Sequence, residues 1–211
     1  MFQMRQGTWF SMAVGAGAIA LLLAGSACSQ APAPDTPVAQ AVATAPGRPA
    51  AAREAAGGVS WLAPSAWSRE ARRRPMRVTT YTIPDPEPDM QGELAVFYFG
   101  PGQGGGTNAN ISRWIGQFSG ADGGPPREVS RKTRQVGGLT VTILEVVGTY
   151  QGGGAPMLGS GQAKEGYALL GAIVAGPQAP IFFKLTGPLD TVDRSRPQFE
   201  ALVNSLRLEA S

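Results

Sequence analysis

The sequence predicts an α+β fold, an antiparallel sheet of about six strands covered by helices. Three observations predict it. Residues 167–175 (Tyr-Ala-Leu-Leu-Gly-Ala-Ile-Val-Ala) and 181–186 (Ile-Phe-Phe-Lys-Leu-Thr) are apolar on both alternating faces. That is how strands read when little of either face is left to water. Gly137-Gly138 separates two strand-like runs, and a glycine pair suits a tight hairpin. Two stretches carry apolar residues at helical spacing: Ile111, Trp114, Ile115 and Phe118, then Val192, Phe199, Leu202, Val203 and Leu206. Helices with such a stripe can lie across a sheet.

At 211 residues, with 43% hydrophobic and 16% charged, the chain has room for one folded domain and a good deal besides. Residues 1–27 read as an export signal. Arg5 supplies a positive start, and 12–24 is an apolar and small-residue run too short for a comfortable membrane span. The run ends in Leu21-Leu-Leu-Ala-Gly-Ser-Ala-Cys28-Ser29, which resembles the lipobox of bacterial lipoproteins. In those proteins the cysteine is acylated and becomes the mature N-terminus. Gly25 stands where a large apolar residue is usual, and Leu23 lies two places earlier. Cys28 is the sole cysteine, which fits a lipid site and excludes an internal disulfide. The alternative is ordinary signal cleavage nearby, leaving a stray thiol; an unpaired cysteine is unusual in an exported protein, which favours acylation. By resemblance to the sorting rule, Ser29 implies the outer rather than the inner membrane.

Residues 28–58 are Ala, Pro, Gln and Thr with almost no large apolar side chain. Such a stretch buries too little to offset the ordering of its backbone, so it is expected to be a disordered tether. Stretched at about 3.1 Å per residue it reaches at most roughly 90 Å. The formal charge of the whole chain is +3, and losing Arg5 with the signal leaves 17 basic against 15 acidic side chains, or +2. Basic residues cluster at 69–77 and 131–134. Such patches can favour anionic lipid or polysaccharide, but they are more simply solvated loop or edge residues. No motif of nucleic-acid recognition accompanies them, and none is expected on an exported protein.

The folded domain is expected over 59–211. Trp61 and Trp67 flank Pro64 and mark the edge of a core. Residues 77–83 alternate and are rich in β-branched side chains, a strand. Asp85-Pro-Glu-Pro-Asp89 ends it. Its three carboxylates invite a calcium reading, but a calcium loop needs more oxygens and a glycine-based turn, so a solvated acidic loop is the simpler expectation. A strand over 93–99 runs into Gly100, Gly102 and Gly105, a formal match to G-x-G-x-x-G ahead of the helix expected over 108–118. A dinucleotide fold needs a second parallel strand soon after, ending in an acid; the chain enters Gly120-Ala-Asp-Gly-Gly-Pro-Pro126 instead. The glycines are read as a flexible connection that lets the helix fold back over the sheet.

A polar strand up to Val136 and an apolar one over 139–150 follow. Glu145 interrupts the latter, either facing solvent at a register shift or pairing with Lys184 across the sheet. The Gly-rich stretch 151–165 is long for a hairpin loop: an unconstrained insertion, or a contact surface. In the closing helix, Pro197 forces a choice: a cap at Asp193 or Ser195 with the helix starting there, or one helix from about Asp190 that bends at the proline. The second is the reading adopted.

This order of elements resembles the PsbP-like α+β sandwich, in which helices cover an antiparallel sheet. The resemblance is carried by P-x-x-W at Pro64-Ser-Ala-Trp67 and F-x-x-L-x-x-S at Phe199, Leu202 and Ser205. Arg113-Trp-Ile-Gly-Gln117 and Phe182-Phe-Lys-Leu-Thr-Gly-Pro188 also resemble uncharacterised predicted lipoproteins of Gram-negative bacteria. It spans about residues 59–208 and implies accessory or binding proteins rather than enzymes; fold alone does not decide activity.

The function expected is a membrane-tethered, non-catalytic envelope lipoprotein, its domain in the periplasm, binding an envelope protein or cell-wall component. The chain has no histidine and no cysteine beyond Cys28, so triads and zinc sites built on those residues are excluded, and no cofactor, metal or catalytic residue is assigned. A carboxylate-only glycan hydrolase would need two paired acids, for which Glu93 and Glu145 are the candidates. A binder of a small apolar or lipid ligand would use Trp114, Phe118, Phe97 and Phe183 between helix and sheet. Those side chains are also what an ordinary core would use.

Overall fold

A computed structural model describes residues 53–72, 74–152 and 162–209. Cys28, the export segment, most of the expected tether and the middle of the 151–165 stretch lie outside the described residues. The fold is α+β. Strands β1 (Arg53–Ala56) and β2 (Val59–Leu62) form a three-stranded sheet with the last strand, β11 (Arg207–Leu208). The main sheet holds β3 (Ser68–Arg69), β4 (Arg77–Ile83), β5 (Gly92–Phe97), β6 (Phe118–Ser119), β7 (Glu128–Val136), β8 (Leu139–Tyr150), β9 (Lys164–Val174) and β10 (Ile181–Pro188). Its spatial order is β3-β4-β5-β10-β9-β8-β6, with β7 also on β8, and every pairing is antiparallel. No parallel crossover follows the Gly100 bend, so the glycines there make turns: Gly100, Gly102 and Gly105 have φ of 99°, 68° and 72°.

Local chemistry accounts for these elements. At Gly137-Gly138 both φ values are positive, 56° and 81°, as the turn of a two-residue hairpin demands. A Cβ on Gly137 would sit 2.3 Å from the Leu206 carbonyl oxygen. Helix α1 is Thr107–Ile115 and stops at Gly116, short of the expected 118. Phe118 belongs instead to β6, opposite Tyr150. Helix α2 runs Leu189–Asn204 as one helix with Pro197 inside it. Neither Asp193 nor Ser195 is its cap; Pro188 occupies that position, and Ser195 Oγ donates to the Thr191 carbonyl at 2.8 Å.

The acidic loop is not simply solvated. Asp85 accepts from the Glu87 amide at 3.0 Å and pairs with Arg194 of α2. The Thr191 hydroxyl lies 2.6 Å from Asp85 Oδ2 and 2.8 Å from the Met90 carbonyl, donating to one of them. That hydroxyl, chiefly, holds the Asp85 carboxyl below the usual range. Glu145 does not pair with Lys184, and its side chain, 29% exposed, is only partly in solvent. It accepts two bonds from the Arg196 guanidinium, at 3.0 and 2.5 Å, and ties β8 to α2.

A strand precedes Val59: β1, the first described element, pairs antiparallel with β2. Gly57 (φ 57°) and Gly58 (φ 79°) turn β1 back onto β2. Arg53 reaches the Ser205 carbonyl at 2.6 Å and Glu54 stands 3.5 Å from Arg69, so this strand is held chiefly by backbone pairing and two guanidiniums, with Ala56 packed against the core.

The two faces of the main sheet are covered unequally. One buries Leu94, Val96, Leu170, Phe183 and Leu185 against α2 and the small sheet. There Trp61 meets Phe183 edge-on, 5.2 Å between ring centres, and donates from Nε1 to the Tyr81 hydroxyl at 3.2 Å. The other buries Leu144, Val146, Leu169, Ile173 and Phe182 beneath α1, Trp114 foremost. Helix α1 has nine residues. At about 1.5 Å per residue and strands roughly 4.8 Å apart, such a helix shelters about three strands, and part of that face stays open.

Candidate functional site

The opening is a cleft of about 680 Å³ between α1 and the strands β4, β5, β9 and β10. Register places its floor. Lys184 of β10 lies opposite Ala95 of β5 and Gly171 of β9, while Thr186 lies opposite Glu93. Both neighbours of Lys184 are therefore small, which leaves a slot for its side chain. Trp114 fills the space over Gly171 so closely that a Cβ there would be 2.4 Å from its ring.

Lys184 is the least expected group. Its Nζ donates to Gln117 Oε1 at 2.5 Å and stands 5.4 Å from the centre of the Tyr150 ring. Burial, and secondarily the nearby Arg77 charge, bring its pKa down to about 8 despite the opposing influence of Glu93. Glu93 is engaged elsewhere: Arg77 donates to it at 2.7 Å, and Arg74 stands 3.2 Å from its other oxygen. Arg77 also lies over Phe97, 5.5 Å from the ring centre. Burial raises the Tyr150 phenol above its usual range.

The walls are aromatic and cationic. Phe97 and Phe99 stack with 10° between planes, and Tyr150 and Tyr167 with 7°. Lys164 sits over Tyr167, 5.2 Å from its centre, and Arg113 donates to Asn110 Oδ1 at 3.0 Å. Asn110 in turn donates to the Gly104 and Gly106 carbonyls at 2.8 and 3.1 Å, anchoring the glycine turn to α1. The turn thus sets the helix at the cleft mouth rather than cradling a phosphate.

Of the four aromatics expected between helix and sheet, Trp114 and Phe97 line the cleft. Phe118 is buried beside it against Tyr150, 5.1 Å between ring centres. Phe183 points to the opposite face, into the α2 core, so it cannot line this cleft. Glu93 and Glu145 are likewise on opposite faces. Glu93 shares its face with Leu169 and Val146 through Thr186, whereas Glu145 is one residue out of step and bound to Arg196. Two carboxylates separated by the sheet cannot flank one glycosidic bond. Among the described residues, no three His, Cys, Asp or Glu side chains gather to hold a metal ion. No described helix is long and apolar enough to cross a membrane.

Sequence reasoning named Glu93 and Lys184 without bringing them together, and it did not single out Arg113, Lys164, Tyr150 or Tyr167. The signal available was Lys184 itself, the single charge in Ile181-Phe-Phe-Lys-Leu-Thr186. Tyr150 and Tyr167, at the strand ends beside the Gly-rich stretch, carried no pattern that would pair them.

No family model and no curated protein sequence matches this chain. Among solved structures it is similar to PA94, a protein of unknown function from Pseudomonas aeruginosa: 13% identity over 76% of this chain and 98% of that one, TM-score 0.44. It is similar to CyanoP, the cyanobacterial PsbP of Synechocystis, at 15% identity over 74% and 91%, TM-score 0.46. A third is LpqN of Mycobacterium tuberculosis, described as involved in cell envelope biogenesis, at 10% identity over 72% and 83%, TM-score 0.47. At such identities and scores the likeness says nothing of ligand, partner or activity.

Proposed function

We propose that this chain is a non-catalytic binding module of the bacterial envelope, exported and anchored through a lipid on Cys28, whose domain holds a small molecule in the cleft beside α1. One observation carries the reading: an open cleft of about 680 Å³ with stacked aromatic walls, within the size range of small-molecule sites. A filled interior on both faces would have favoured docking of an envelope protein or cell-wall component by surface alone. The chemistry of the cleft supports binding over turnover. Among the described residues lining it, the one carboxylate, Glu93, lies within ion-pair distance of two arginines and so is poorly placed to take a proton.

The test uses the exported chain with Cys28→Ser, which should leave the membrane fraction. Titrated with anilinonaphthalene sulfonate, it should show saturable one-to-one fluorescence enhancement. Ala95→Trp, which fills the cleft floor, should abolish that signal while the cooperative unfolding transition persists. Non-saturable binding, or binding indifferent to Ala95→Trp, would sink the proposal.

A further inference from the structure

We propose that the ligand of this cleft is an amphiphile with an anionic oxygen head, a carboxylate or phosphate monoester, received by Lys184 with Arg77 and Arg113 at its flanks. This rests on the cleft being a ligand site and adds the class of ligand.

The argument begins with charge. Among the described residues, four cationic side chains line the cleft, Lys184, Arg77, Arg113 and Lys164, against the single carboxylate of Glu93. Glu93 is already shared between Arg74 and Arg77. Among the described residues, Lys184, Arg113 and Lys164 form no salt bridge; Lys184 and Arg113 each donate to an amide oxygen, and Lys184 and Lys164 each lie over a tyrosine ring. An ammonium removed from water without a counter-charge is costly, and folds generally pair such a charge or neutralise it. Here the fold instead leaves Lys184 at the floor of an opening. Gln117 Oε1 satisfies one of its three N–H groups. An oxyanion entering the cleft supplies both the missing acceptors and the missing charge.

The body of the ligand follows from the walls. The Phe97–Phe99 and Tyr150–Tyr167 stacks flank the cationic floor and present apolar surface on either side of it. A cationic ligand would meet net repulsion, and a neutral one would leave Lys184 as it is. A bare inorganic anion would leave the aromatic walls to water.

The charged and titratable groups that line the cleft with Lys184 are Glu93 of β5, Arg77 of β4, Arg113 of α1, Tyr150 of β8, and Lys164 and Tyr167 of β9. Because burial holds the lysine near a pKa of about 8, its positive charge fades above that pH. The Tyr150 phenol, pushed upward, stays neutral there. Binding of a permanently ionised head should therefore weaken as pH rises through about 8.

The experiment titrates the Cys28→Ser chain calorimetrically with dodecanoate, dodecyl phosphate, dodecanol and inorganic phosphate, each below its aggregation limit. Dodecanoate and dodecyl phosphate should bind at least about tenfold more tightly than dodecanol. That preference should shrink above about pH 8, vanish in Lys184→Gln and return in Lys184→Arg. Equal affinity for the acid and the alcohol overturns the inference and leaves the cleft a ligand site. Inorganic phosphate binding as tightly as dodecyl phosphate also overturns it, by removing the apolar body. If no probe binds saturably, the binding function fails as well. Should Lys184→Gln not fold, the pH profile of the parent decides, and a flat profile counts against Lys184.

Discussion

Lys184 is a charge that burial disfavours. Its pKa of about 8 lies below the ordinary 10.5, with burial as the first cause. Between those two values the unfolded chain binds more protons than the folded one. Stability therefore rises with pH across that window, and below it the folded state bears the full penalty of a desolvated ammonium. Lys184→Met removes the charge while keeping the chain length. The domain should gain roughly 1–3 kcal/mol near neutral pH, less what the Gln117 bond contributed. Urea unfolding near pH 7 and near pH 10 should show the gain at the first and a smaller one at the second; no gain near pH 7 would mean that the lysine is better solvated than its surroundings imply. The sequence exposed this residue as a lone charge in an apolar strand but could not tell which side it faced. Pairing it with Glu145 failed by one residue of register, and in a sheet one residue exchanges the faces. Lys184 aligns with Gly171 and Leu144, and Glu145 turns to Arg196.

At the level of elements, the site depends on how closely α1 approaches β9. Gly171 permits it: Trp114 carbons lie 2.4 and 2.9 Å from where a Cβ would stand, nearer than real side chains tolerate. Gly171→Ala must push the indole and its helix outward. Overpacking of this kind costs about 1–3 kcal/mol. The variant should unfold at lower urea and show altered near-ultraviolet dichroism, and adding Trp114→Leu should recover part of the loss. Stability equal to the parent would show that α1 moves freely. Such close approach left no mark in the sequence, where Gly171 read only as one small residue in an apolar strand. Turns were more legible, since a Gly-Gly pair between strand-like runs needs positive φ at both positions, as at Gly137-Gly138. The same signal at Gly57-Gly58 passed unread because β1, Arg-Glu-Ala-Ala, lacks the apolar alternation that marks a strand. Likewise Gly116 ended α1, while the helical spacing of Phe118 pointed one turn further.

Across the whole molecule, a 16-residue helix and a three-stranded sheet close one face, and a nine-residue helix closes part of the other. The apolar strands and two helices were legible because burial on both faces leaves its pattern in composition. The cleft was not, because an incompletely covered face and a covered one use the same side chains until register and helix length are known. The small sheet shows how far the closure extends. Strand β1 pairs with β2 along Arg53–Ala56, and Arg53 spans to Ser60 Oγ at 3.3 Å and the Ser205 carbonyl at 2.6 Å, joining the start of the domain to the end of α2. Beneath it, Val59 and Trp61 are fully buried, so they rely on that strand to shield their ladder from water. A chain beginning at Val59 should therefore be less stable than one beginning at Arg53 by about 1–3 kcal/mol, the worth of a few backbone hydrogen bonds, the two Arg53 bonds and the partly exposed Arg69–Glu54 ion pair. Urea titrations of the two, followed by Trp fluorescence, should give a lower midpoint for the shorter chain with little change in slope, since the core on both sides of the main sheet is retained. Equal midpoints would mean that β1 only rests on β2 and that the domain is complete from Val59.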